Sequence, residues 1–60
     1  MQKTKIVYYD GIQQVGWEEG KEGVASIVAT NGEATIYFDD GRTLTITSPY
    51  MEEYNYYEAP

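Results

Sequence analysis

The side chains with chemical potential in this sequence are carboxylates and tyrosines. Ten Asp and Glu stand against four Lys and Arg, and both His and Cys are absent. Their absence removes Cys/His zinc sets, thiol nucleophiles and imidazole acid–base chemistry. Asp39-Asp40 is the tightest acid pair of the middle segment, and turn chemistry before Gly41 accounts for it. It lacks the Asp-x-Asp-x-Asp-Gly spacing and distal Glu of a calcium loop. A glycosidase-type pair needs two carboxylates across a cleft, and 60 residues leave little room for one. Gly41-Arg42 is no phosphate cradle, because no Gly-rich loop leads into a helix. The sequence points away from an enzyme and implies no cofactor and no metal.

What carboxylates and tyrosines do well is bind protein. Seven tyrosines are present, and Tyr50, Tyr54, Tyr56 and Tyr57 crowd the C-terminal end. Tyrosine supplies contact area at low entropic cost, and carboxylates around it select a basic partner. The candidate partner-binding residues are Trp17, Glu18, Glu19, Glu22, Tyr37, Tyr50, Glu53, Tyr56 and Tyr57. Trp17 has two readings: a loop anchor closing one end of the fold, or an exposed hot spot of the kind enriched at interfaces. The acids in turn read as a solvated face that keeps a small protein soluble, or as a steering surface.

The net charge is −6. Residues 1–30 contribute −1, from four acids and three lysines, and residues 31–60 contribute −5, from six acids and Arg42 alone. Lys3 and Lys5 beside Tyr8 and Tyr9 are a weak hint of single-strand binding. An acidic chain repels phosphate backbones, so nucleic acid is not the expected partner. The longest apolar run is Ile6 to Tyr9, which provides no membrane span and no signal-peptide core. The expected location is the cytoplasm, a host's cytoplasm if the source is viral. Apolar residues make up 42% of the chain, too many for a disordered acidic tail.

These residues need elements to position them, and the elements read as strands. Six glycines interrupt the first 41 residues, and Val, Ile, Thr and Tyr fill the intervals. Asn31-Gly32 is the preferred pair for a type I′ hairpin turn. Closing it pairs Thr30 with Glu33, Ala29 with Ala34, Ile27 with Ile36 and Ala25 with Phe38, so the apolar residues fall on one face. Thr43–Thr47 follows through a three-residue loop, Asp40-Gly41-Arg42, whose odd length keeps Leu44 beside Phe38 and Ile46 beside Ile36. Tyr37 falls on the polar face. Residues 5–9 form a further strand. From Asp10-Gly11 the chain either turns back directly through Ile12–Val15 or enters a long loop to Gly23, and the glycines favour the loop. After Ser48-Pro49 a single helical turn leads into a short fifth strand, with Tyr50, Met51 and Tyr54 inward and Glu52 and Glu53 outward. The tail from Glu58 should fray.

The order of five short strands, a long first loop, two tight hairpins and a turn before the last strand resembles the Src-homology-3-like small barrel. Ser48-Pro49-Tyr50-Met51-Glu52-Glu53-Tyr54 is similar to the end of such domains, and Val7-Tyr8-Tyr9-Asp10-Gly11 to their opening. The resemblance implies an all-β, five-stranded barrel or strongly curved antiparallel sheet. The family's proline-rich ligand groove is matched only at Tyr9 and Tyr50. Gly11 and Thr47 stand where an aromatic and a proline belong, and Trp17 lies in the wrong segment.

The expectation is therefore a single domain over residues 1–60, with 58–60 frayed. Its expected function is non-enzymatic binding to another protein with a basic surface, in the manner of phage-encoded inhibitors that occupy a nucleic-acid-binding groove. The alternative is a stand-alone SH3-like adaptor or structural subunit that binds a peptide or an assembly partner. Exposed strand edges on so small a domain also suit a homodimer.

Overall fold

The computed structural model describes residues 2–58. The chain is all-β: β1 (Gln2–Tyr9), β2 (Gln14–Glu18), β3 (Val24–Thr30), β4 (Glu33–Phe38), β5 (Thr43–Thr47) and β6 (Glu52–Tyr57). They form two three-stranded antiparallel sheets, β2-β1-β6 and β3-β4-β5. There are thus six strands in two sheets where five in one barrel or curved sheet were expected. Pro49-Tyr50 form a turn, with no helix after it. The Ser48 N–H donates to Gly32 O at 2.8 Å, and Ser48 Oγ accepts from Tyr50 N at 3.3 Å, which holds the link. No helix of the described residues is long and apolar enough to cross a membrane.

The central hairpin follows the sequence pattern. Asn31 and Gly32 have φ of 26° and 81°, both positive as a type I′ turn demands. Thr30↔Glu33, Ala29↔Ala34 and Ile27↔Ile36 pair as expected. The Ala25–Phe38 pair does not form. A bulge between Val24 and Ser26 leaves Ala25 outside and sets Val24 opposite Phe38, so the larger residue enters the core.

The loop between β4 and β5 keeps its odd parity but sits one residue earlier, over Asp39-Asp40-Gly41. Gly41 N donates to Phe38 O at 3.0 Å, and Phe38 N to Arg42 O at 2.9 Å. Gly41, with φ of 91°, must end such a loop, because the left-handed residue follows the type I turn. Leu44 therefore faces Ile36, and Ile46 faces Ala34.

The largest departure lies in the first segment. Residues after Asp10 do not make a long loop. They return at once as β2, with Tyr9↔Gln14, Tyr8↔Val15 and Ile6↔Trp17. The Asp10 carboxylate organises this return by accepting the N–H groups of Ile12 and Gln13, each at 2.8 Å. Gly16 is tolerated mid-strand because its position points outward, where an added Cβ would meet the Ile6 carbonyl oxygen, Val7 and the Lys5 stem, all at ordinary contact distance.

Ile6, Val24, Ile27, Ala34 and Ile36 form the buried core, with Tyr8, Trp17, Ala29, Phe38, Ile46 and Met51 packed around it. The second sheet meets the first through β3, which lies against β1 and β2. β6, on the far side of β1, extends past that cover.

Candidate functional site

The register of β1 assigns every side chain of β6 to a face. Glu53 stands opposite Ile6, so Glu53, Asn55 and Tyr57 share the inward face with Ile6 and Trp17. Tyr54 stands opposite Lys5, so Glu52, Tyr54 and Tyr56 share the outward face with Lys3, Lys5 and Glu18. This reverses the expected inward Tyr54, which is 48% exposed. The inward residues of β6 are no better covered, and Tyr57 is 79% exposed. Tyr50, expected in the core at the closing turn, is 77% exposed, while Met51 next to it packs on the core as expected. Glu53 is exposed, and so is Glu58, whose carboxylate lies 3.5 Å from Lys3 Nζ. The rest of the expected frayed tail, residues 59–60, lies outside the described residues.

The tyrosines and acids of β6 are tied to one another and to the first sheet. Tyr54 Oη donates to Glu52 Oε2 at 2.6 Å. That bond, and then the Glu52 charge, raises the Tyr54 phenol above its ordinary value. Tyr56 is half-buried and its hydroxyl donates to Glu18 Oε2 across β1. Glu18 Oε1 also lies 3.4 Å from Lys21 Nζ. The outward face of the first sheet therefore carries a chain of contacts from β6 to β2.

Two of the candidate partner-binding residues make contacts within the fold. The Glu19 carboxylate is split between the sheets: Oε1 accepts from Thr4 N at 2.8 Å, and Oε2 accepts from Ile27 N at 2.7 Å. Trp17 lies on a strand, not in a loop. Its indole packs edge-on against Phe38, with centroids 5.7 Å apart and planes at 82°, and Nε1 donates to Tyr8 Oη at 3.1 Å. The anchoring reading holds for Trp17, with the correction that a strand carries it. Neither role was legible from composition. For Trp17 the Val15/Trp17 alternation was the available signal. For Glu19 no signal in the sequence names the N–H groups it accepts.

The remaining candidates scatter. Tyr37 is exposed on the outward face of the second sheet, as the hairpin register implied, and so stands on a different sheet from β6. Glu22 sits in the β2–β3 turn with φ of 54°. Beside it, Lys5, Gly16, Trp17, Glu18 and Lys21 line a cavity of about 160 Å³, well under the ~300 Å³ at which small-molecule sites begin. Among the described residues no group of three or more acids has the geometry of a metal site. The structure thus carries Glu53, Tyr56 and Tyr57 on one edge strand with Glu52 and Tyr54, divided between its two faces, sets Tyr50 in the turn before it, and leaves Tyr37 and Glu22 apart.

No family model matches the chain, and comparison with characterised proteins and with solved structures gives no match.

Proposed function

We propose that the chain is a non-enzymatic protein-binding module that presents β6, with the preceding Tyr50 turn, to a partner bearing a basic surface. The observation that carries this reading is the composition of one sheet edge. β6 ends its sheet and holds Glu52, Glu53, Tyr54 and Tyr57 exposed, with Tyr50 exposed just before it. Exposed tyrosines rimmed by carboxylates make a surface whose charge steers a cationic partner and whose rings supply the contact. With −6 overall, an inhibitor that fills a basic, nucleic-acid-binding groove is the form of this reading that the charge favours. A phage-type inhibitor acting in a host cytoplasm would fit that description. For the architecture we infer an open relative of the SH3-like small barrels, on the strength of the β3-β4-β5 meander and the turn at Pro49.

The test is a pull-down from a bacterial lysate with mass spectrometry, run in parallel with a Glu52→Gln/Glu53→Gln/Tyr54→Ser/Tyr57→Ser variant. All four side chains are exposed, so the variant should keep its melting transition. The expected result is a basic protein retained by the parent chain, lost with the variant and displaced by single-stranded DNA. Retention that the variant does not change would refute the β6 surface. Retention lost with the variant but indifferent to DNA would replace the inhibitor by an adaptor.

A further inference from the structure

The free edge of the second sheet has a different chemistry from β6. We infer that two copies of the chain pair antiparallel along β5, about a two-fold axis at Thr45. This does not rest on the reading of β6 as a partner surface.

Hydrogen-bond parity along β5 decides which of its backbone groups are free. Ser48 N donates to Gly32 O, and Phe38 N donates to Arg42 O, so residues 42, 44, 46 and 48 direct their backbone groups toward β4. Thr43, Thr45 and Thr47 therefore direct N–H and C=O away from the sheet, along the edge. The strand reads Thr-Leu-Thr-Ile-Thr, which keeps its pattern when reversed about Thr45. Antiparallel pairing about that residue sets Thr43 opposite Thr47 of a second copy, Thr45 opposite Thr45 and Leu44 opposite Ile46. Each of the three threonine pairs exchanges both backbone hydrogen bonds, so every outward group of the strand is satisfied. The same register covers Leu44, which is 38% exposed on the inward face. A two-fold contact of this kind is self-complementary by construction.

Charge singles out this edge. Copies carrying −6 each repel, so they associate best where neither presents charge. β5 holds no charged residue between Arg42 and Pro49, no proline and no bulge, and so lacks the usual edge-protecting devices. The other edges carry them. β3 is bulged at Ala25, its Ile27 N–H is taken by Glu19 and its Val24 C=O by Gly20 N. β6 carries Glu52 and Glu53. β2 ends in Glu18 and turns into the β2–β3 connection.

The contact is small, so association falls at the weak end of protein interfaces, with Kd on the order of 10 µM to 1 mM. The experiment combines sedimentation velocity over that concentration range with amide hydrogen exchange read by NMR. The parent chain should sediment faster as concentration rises, more so in high salt, which screens the mutual repulsion. Protection of the Thr43, Thr45 and Thr47 amides should rise in parallel, while the Leu44 and Ile46 amides are protected at every concentration. Thr45→Pro removes an outward N–H without touching the β4 ladder, and Thr45→Lys sets like charges across the axis. Each should weaken association at least tenfold. Thr35→Lys, on the outward face of the same sheet but one strand in, should leave it unchanged. A parent chain that stays monomeric at 1 mM overturns the inference. So does a dimer that survives both Thr45 variants, or one that Thr35→Lys abolishes, because the contact is then another edge or the sheet face.

Discussion

Removing the Glu19 carboxylate should unhook the two sheets from each other. One carboxylate accepts Thr4 N of the first sheet at 2.8 Å and Ile27 N of the second at 2.7 Å. The Ile27 N–H points off the edge of β3, since the turn fixes Thr30, Val28 and Ser26 as the residues bonded to β4. No neighbouring strand is there to receive it. A hydrogen bond to a charged group contributes about 1.5–3 kcal/mol. Both sites are half-buried, so water replaces part of what is lost, and Glu19→Ala should cost about 2–4 kcal/mol. A domain of this length has only about 3–9 kcal/mol in total, so the substitution should lower the melting temperature on the order of 10–30 °C. Glu19→Gln keeps one acceptor and turns an amide N–H toward the other donor, so it should fall between Ala and the parent. Glu22→Gln, three residues on and exposed, should stay within about 0.5 kcal/mol. The assay is a circular-dichroism melt with amide exchange at Ile27. Equal melts for Glu19→Ala and Glu22→Gln, with Ile27 exchange unchanged, would refute the bridge.

Three further outcomes follow, one from backbone geometry and two from titration. Gly32 (φ 81°) and Gly41 (φ 91°) share a left-handed conformation, but a Cβ at Gly32 would lie 3.0 Å from Ser48 O, whereas Gly41 faces open space. Gly41→Ala should cost about 1 kcal/mol from strain alone and Gly32→Ala about 2 kcal/mol or more, so equal urea midpoints for the two would contradict the contact. Asp10 is held below the usual carboxylate value by the Gln13 N–H and then the Ile12 N–H. Its contribution is present above the unfolded pKa of about 3.9 and is lost as pH falls through the folded value. Tyr54 runs the other way: raised by Glu52, it stabilises below about pH 10 and loses that effect as pH rises through its folded value. NMR titration of the Asp10 carboxyl and ultraviolet titration of Tyr54 against Tyr54→Phe should give midpoints displaced in these directions, and unshifted midpoints would exclude the bonds.

What the sequence made legible was local and what it hid was relational. Asn31-Gly32 between alternating runs specified a turn, and the turn specified the register as far as Ile27↔Ile36. Beyond that point Val24 and Ala25 are both apolar, so alternation could not reveal which of them a bulge sends inward. The β4–β5 loop had its parity set by Leu44 and Ile46, but Asp39 and Asp40 are equally good turn residues, and only the left-handed demand at Gly41 fixes where the loop lies. Gly16 disguised β2, because a glycine reads as a break until its neighbours show that no side chain is needed there. For the candidate site, the surplus of acids and tyrosines at the C-terminal end was visible, while their division between faces was not. Pairing of β6 with β1, some 50 residues away, decides that Glu53 and Tyr57 share one face and Tyr54 and Tyr56 the other.

The strand pairings explain why the free sheet edges lie where they do. β1 pairs with β2 and β6, and β4 pairs with β3 and β5, so the chain nearly completes a ring in sequence order. Two seams remain, β2/β3 and β5/β6. The first is spanned by Glu19 and by the Gly20 N–H on Val24 O at 2.9 Å. At the second, β5 and β6 each end a sheet, and Leu44 and Tyr57 on them are exposed. With five buried apolar side chains among the described residues, the chain has little left with which to seal both. The open seam then divides by chemistry. β5 presents uncharged backbone, the edge we infer for a second copy, and β6 presents carboxylates and phenols, the surface we propose for a basic partner. A dimer joined through β5 would hold two copies of β6. A partner with two matching basic sites would then be held more tightly than by either surface alone, through effective concentration and with no new contact. That coupling makes the apparent affinity for such a partner fall with Thr45→Pro, a residue outside the binding strand, while affinity for a single-site partner stays constant.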